Sequence, residues 1–311
     1  MDEREALSLL AAELPGAGDD CAVVDGRVLT TDMLHESADF PDGVTRYTAG
    51  WRSVGASLSD VAAMGADAEA AVAAYAAPSF DAGEIRAYVR GARDVCEAVG
   101  AEYVGGDLDR TDEFTVATTV VGAAADPVLR SGASPGEVVC VTGALGRTAA
   151  ALRFFERAAA GDPGGARDAA GAGNAGNSPA AVERGNDLFR FTPRVAAGRA
   201  LRSHATAMMD SSDGLARSLH QLSEASDCGF SIREADVPVH PAVDEVTSGE
   251  GERREAALFL GEDFELVFAV PEGEFDAARE ASPTPLARIG DVTESGIEMD
   301  GEPLPDRGYD H

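Results

Sequence analysis

Residues 208–222 read "MMDSSDGLARSLHQL". Two apolar residues, Met208 and Met209, run into Asp210, Ser211, Ser212, Asp213 and Gly214. A stripe of Leu215, Leu219 and Leu222 follows at helical spacing. The segment is a strand that hands over to a helix, with two carboxylates and two hydroxyls at the junction. A chain built from such units mixes strands and helices, and it collects polar chemistry at its strand ends.

The pattern recurs. "VLTTD" ends at Asp32, "YVGGD" at Asp107, and "LFLGED" at Glu262 and Asp263. "GAGDD" adds Asp19 and Asp20 just before a strand, and "SLSD" places Asp60 on a helix. Any one of these acids has a plain reading as a cap or turn residue, which Asp and Gly favour. Caps do not explain the repetition at strand ends. Converging carboxylates repel and raise one another's pKa unless a cation lies between them. The set therefore points to a site for hard cations such as Mg²⁺, which take oxygen ligands and keep room for substrate phosphates. Thr30, Thr31 and Ser212 supply further oxygens. Gly105-Gly106 lets backbone approach a phosphate, and the helix start at Ser212-Asp213-Gly214 offers free N–H groups to an anion.

Charge narrows the functions open to the chain. Its 311 residues carry 55 acidic against 25 basic side chains, a net charge of −30. Every basic residue is Arg; there is no Lys. Such a field repels nucleic acid and anionic membranes, so neither is expected as a partner. It suits a salt-rich cytoplasm, where screening weakens self-repulsion. Without Lys there is neither a P-loop nor a protein-kinase strand lysine. Phosphate chemistry here must rely on metal ions, Arg and backbone N–H groups. No apolar run reaches membrane length and the acidic N-terminus is no signal peptide, so the expected compartment is the cytoplasm. Cys21, Cys96, Cys140 and Cys228 are widely spaced and read as reduced core residues.

The length suits two domains. Residues 22–31 read as a hairpin around Asp25-Gly26. Residues 47–64 form an amphipathic helix on Tyr47, Trp51, Val54, Leu58 and Val61, with Ser53, Ser57 and Asp60 on a second face. Another helix spans 84–99 and stops at Gly100; strands follow at about 101–105 and 114–121. "LRSGASPGE", 129–137, reads as the boundary between an N-terminal domain, 1–128, and a C-terminal domain, 129–311. Residues 161–187, rich in Gly, Ala and Asn, read as a flexible surface insertion. A helix resumes in "FTPRVAAGRAL", with Thr192 as its cap.

Ten of these segments, in order, resemble the thiamine-monophosphate kinases, of the superfamily that includes aminoimidazole ribonucleotide synthetase. They are "GAGDDCAVV", "TTDML", "SLSDVAAMGA", "YVGGD", "LRSGASPGE", "VTGALGRTAAAL", "MMDSSDGLARSL", "LFLGEDFELVF", "IGDV" and "GYDH". The resemblance implies an α+β fold with an N-terminal sheet domain that dimerises and an α/β C-terminal domain. It implies transfer of the γ-phosphate of ATP to thiamine phosphate, with several Mg²⁺ ions. The metal positions would be Asp20, Thr30, Thr31, Asp32, Asp60, Asp107, Asp210 and Asp213. ATP would meet Gly106, Asp107, Arg130 and Ser212, and the acceptor Glu262 and Tyr309. Where relatives carry a His near the acceptor this chain has Asp39, with His35 four residues earlier; Asp39 is the preferred contact. No general base is assigned, since an acceptor phosphate is already ionised. The alternatives are another ATP-dependent enzyme of the superfamily and a non-catalytic Mg²⁺ or nucleotide-binding protein.

Overall fold

Among the residues that the computed structural model describes (9–10, 13–14, 18–160 and 178–308), the strands form two sheets. The first has the order β1-β2-β5-β3-β4, from β1 (Ala22–Val24), β2 (Arg27–His35), β3 (Asp67–Ala76), β4 (Glu102–Asp109) and β5 (Thr115–Ala123). The expected hairpin is present. Val24 pairs with Arg27 across Asp25 and Gly26, and both turn residues have positive φ, as a tight two-residue turn requires. Strand β2 runs on to His35, paired along its whole length with β5.

A short helix α1 (Glu36–Asp39) follows β2, and two long helices, α2 (Arg46–Ala63) and α3 (Ala82–Val99), cover one face of this sheet. Thr45 caps α2 by accepting from Thr48 N, and Gly100 ends α3 in the left-handed conformation. The predicted stripe of α2 is inward: Val54, Leu58 and Val61 are fully buried. The helix is buried on its other faces too, including Arg52, Ser53, Ser57 and Ser59. A Cβ on Gly50 would lie 2.1 Å from the Tyr88 carbonyl oxygen, and one on Gly91 would lie 2.0 Å from that of Tyr47. The two helices therefore touch backbone to backbone, a distance only glycine permits.

The second sheet has the order β12-β11-β8-β10-β6-β9-β7. Its strands are β6 (Glu137–Thr142), β7 (Ala207–Asp210), β8 (Gly229–Ile232), β9 (Leu266–Pro271), β10 (Leu286–Thr293), β11 (Ile297–Met299) and β12 (Glu302–Pro303). The accompanying helices include α4 (Arg147–Ala159), α5 (Pro179–Phe189), α6 (Val195–Leu201) and α7 (Leu215–Ser226). Strand β7 lies at the sheet edge, yet all four of its residues are buried. Its Met208 shares a core with Ala62 and Ala63 at the end of α2. Packing of α2 against β7 thus joins the two sheets at the point where Asp60 and Asp210 emerge.

Two local expectations need correction. The segment 161–187 is not one loose insertion: residues 161–177 lie outside the described residues, but α5 begins at Pro179 and packs on α4. Phe189 meets the Phe155 ring edge to face at 5.8 Å. Buried Asn186 accepts from Thr45 N and donates to the Gly43 carbonyl. Its inward positions include Gly185 and Asn186, which carry no apolar periodicity to see. Helix α6 starts at Val195, so Thr192 does not cap it; Arg194 stands at the cap position and its guanidinium goes to Glu265. All four cysteines are buried and unpaired, as expected.

Candidate metal and phosphate site

Three carboxylates meet where the two sheets abut. One oxygen from each of Asp20, Asp60 and Asp210 lies within 4.8 Å of the others. Asp20 comes from the segment before β1, Asp60 from the last turn of α2, and Asp210 from the end of β7. Asp32 joins through Ser57, whose hydroxyl donates to Asp32 Oδ2 at 2.7 Å and pairs with Thr118 at 2.7 Å. Thr30 donates to Asp60 Oδ2 at 2.6 Å. The period of two along β2 puts Thr30 and Asp32 on the face toward α2. It turns Thr31 to the opposite face, where its hydroxyl accepts from Thr119.

The electrostatics are strained. Burial, then repulsion from Asp32, Asp210 and Asp20, raises the Asp60 pKa well above the usual carboxylate range. Burial and Asp20 push Asp210 up to about 8. Asp19 rises to about 6, again chiefly through burial. Burial and the same acids also raise the pKa of the neighbouring thiol of Cys21. Arg130 partly offsets this charge: it grips Asp20 with two bonds, 2.9 Å and 3.1 Å, while its backbone N–H donates to Asp19.

The donor set fits a hard divalent cation. Its ligands are all oxygen, and it holds carboxylates that cannot all ionise without a counter-ion. Ser59 lies beside Asp210 and holds its pKa down somewhat, while the buried Ser211 Oγ has no hydrogen-bond partner among the described residues and retains capacity for a ligand or its waters.

Other predicted residues stand apart from the three acids. Asp107 lies on the edge strand β4, in register with Ala74, Ala117 and Met33. That row faces away from α2, one residue out of phase with Asp32. Gly106 is demanded by its neighbour strand, since a Cβ would fall 1.9 Å from the Ala73 carbonyl oxygen. Ser212 and Asp213 occupy the turn before α7, where Gln221 donates to Asp213 Oδ2. Asp39 is buried and accepts from His35 N at 2.6 Å, while the His35 ring meets Thr115. Beside that segment lies a cleft of about 590 Å³ lined by Glu36, Phe40, Asp42, Arg46 and Glu113 among others. Tyr309 lies outside the described residues.

The 261–265 segment packs on the turn after β7, with Glu262 N donating to the Ser212 carbonyl. Each of its acids has its own buried cage. Glu262 Oε2 accepts from Arg52 at 2.8 Å. Asp263 accepts from Gly146 N and Thr148 N at the start of α4, and burial pushes its pKa up to about 7. Glu265 binds Arg194 and Thr142. Arg52 and Glu265 were not among the residues singled out from the sequence, and Asp263 was named only as one of the strand-end acids. The signal for Arg52 was available: it sits eight residues before Asp60, with Ala56 between, along one line of a helix.

Comparison with known proteins agrees with this architecture. The family model "AIR synthase related protein, N-terminal domain" matches residues 18–124, and its C-terminal counterpart matches residues 134–300. The chain is 57% identical to a thiamine-monophosphate kinase of Halobacterium salinarum, over all of both chains. It is 37% identical to that of Methanospirillum hungatei, covering 100% of this chain and 99% of the other. A structure described as AaThiL complexed with AMPPCP and TMP superposes with a TM-score of 0.84 at 25% identity, over 100% of this chain and 97% of that one.

Proposed function

The chain belongs to the AIR synthase related proteins and, among them, to the thiamine-monophosphate kinases, and we infer that it phosphorylates thiamine phosphate with ATP to give thiamine diphosphate. The observation that carries this reading is the meeting of Asp20, Asp60 and Asp210 from three distant segments at the junction of the two sheets. Phosphoryl transfer needs positioning and charge neutralisation more than a covalent nucleophile. Mg²⁺ held by these acids, with Asp32 and Thr30 beside them, would supply the neutralising charge. Ser57 and Thr30 hold the carboxylates of Asp32 and Asp60 in fixed orientations. Arg130, bonded to Asp20, would meet a nucleotide phosphate. The ATP-side roles of Gly106, Asp107 and Ser212, and the acceptor-side roles of Asp39, Glu262 and Tyr309, remain part of the proposal. So do the metal-side roles of Thr31 and Asp213.

The test is release of ADP from Mg-ATP with and without thiamine phosphate, with thiamine diphosphate measured as product, in dilute and in concentrated KCl. Release that depends on thiamine phosphate, and is greater in concentrated KCl, is expected. ATP binding without transfer would leave only a nucleotide-binding protein. The KCl arm follows from the net charge of −30 and from an expected salt-rich cytoplasm. Among the described residues, no helix is long and apolar enough to cross a membrane.

We propose a homodimer through the first sheet. Its face away from α2 exposes Leu29 by 45%, Met33 by 62% and Val72 by 38%. Large apolar groups together on one open sheet face mark an interface. Leu29→Arg with Met33→Arg should halve the mass seen by sedimentation while the fold persists. A wild-type protein that is already monomeric would contradict the dimer.

A further inference from the structure

Arg52 is among the largest fully buried side chains of the described residues and lies on α2, the helix that also carries Asp60. Its two terminal nitrogens are both bonded, while its buried Nε has no hydrogen-bond partner among the described residues. Nη1 donates to the Phe189 carbonyl at 2.9 Å. Nη2 donates to Glu262 Oε2 at 2.8 Å and lies 3.3 Å from the Glu262 carbonyl. The plane sits over the Phe189 ring, 3.6 Å from its centroid. The Thr148 hydroxyl donates to the same Glu262 carbonyl at 2.6 Å. Glu262 itself has φ +63, a left-handed conformation that a residue with a side chain seldom keeps without outside support.

Burying a guanidinium is costly, and a hydrophobic residue of similar size would stabilise the fold as well or better. The arrangement makes sense if its product is the orientation of Glu262. Arg52 takes Oε2, and among the described residues Oε1 makes no hydrogen bond. Eight residues along one helix separate Arg52 from Asp60, a rise of about 12 Å. Helix α2 is thus a rigid spacer, with a metal-site carboxylate at one end and the clamp on Glu262 at the other.

We propose that Arg52 is a positioning residue for the phosphoryl acceptor: it fixes the carboxylate of Glu262 at a set distance along α2 from the metal site. This inference rests on the reading above, in which Glu262 meets thiamine phosphate. Transfer between two bound molecules is sensitive to displacements of an ångström, so a spacer of this kind bears directly on rate.

The variants Arg52→Lys, Arg52→Gln, Glu262→Gln and the double variant Arg52→Lys/Glu262→Gln test it in concentrated KCl. Lys keeps the charge but cannot reach the carboxylate and the carbonyl with one planar fork. Arg52→Lys is expected to melt near the wild type, to raise the KM for thiamine phosphate about tenfold, and to leave the KM for ATP within about twofold. The double variant should be no worse than Glu262→Gln alone, because both changes remove one interaction. Arg52→Gln is expected to show the same selective rise; should it fail to fold, Arg52→Lys still decides. Equal changes in both KM values, or effects that multiply in the double variant, would overturn the proposal. A Glu262→Gln enzyme with unchanged KM for thiamine phosphate would overturn it too, while leaving phosphoryl transfer intact. Wild-type enzyme that forms no thiamine diphosphate would remove the functional reading, and this inference with it.

Discussion

Asp210→Asn should lower turnover about a hundredfold or more while leaving the fold intact, because it removes charge aimed at the transferring group and no part of the core. The side chain is 1% exposed, at the end of an edge strand packed against α2, with Ser59 beside it. In the metal-free protein its ionised form is unfavourable: burial and Asp20 push the pKa up to about 8. The neutral amide therefore relieves repulsion among the three acids, and the melting temperature without divalent ions should stay level or rise. Loss of activity with a held or raised melting temperature separates a ligand from a packing residue. Near wild-type turnover would remove Asp210 from the mechanism.

Removal of divalent metal should destabilise the protein in a pH-dependent manner. A carboxylate whose folded pKa is raised keeps a proton that the unfolded chain has released. For Asp210 this holds from about 4, the usual value, up to about 8. The unfolded state then binds fewer protons, so the stability of the metal-free protein falls as pH rises through that window. Asp60 shifts in the same direction, with burial and Asp32 as its main causes. A divalent ion replaces those protons, so its stabilising effect should grow with pH. At one fixed Mg²⁺ concentration, a hundred times the Kd at pH 8, the melting temperature should rise by about 5 °C at pH 8 and by much less at pH 5. An equal or larger rise at pH 5 would show that the ion binds carboxylates outside this group.

Much of this site was readable from residue order. Asp20, Asp32, Asp60 and Asp210 each end a recognisable unit, and the second stripe of α2 predicted that Ser57 and Asp60 share a face; the structure puts Ser57 on Asp32 and Thr30 on Asp60. The hairpin at Asp25-Gly26 and the long helices declared themselves through turn chemistry and periodicity. Parity was harder. Thr31 and Asp107 sit one residue out of phase with Asp32, so their side chains face the other side of the sheet, and only strand register reveals that. Helix α5 was not visible because Gly185 and Asn186 take part of its inward face, leaving only Leu188 and Phe189 at its end as large apolar buried residues. The buried pair of Arg52 with Glu262 and the part-buried pair of Arg194 with Glu265 join residues 210 and 71 positions apart. In a chain with this many charges, no local pattern marks which Arg and which acid go inside.

The most direct test is anomalous diffraction from crystals grown with Mn²⁺ and a nonhydrolysable ATP analogue. The account predicts a metal peak between the carboxylates of Asp20, Asp60 and Asp210, against the nucleotide phosphates. Metal bound to the nucleotide elsewhere, with these three acids unliganded, would contradict it.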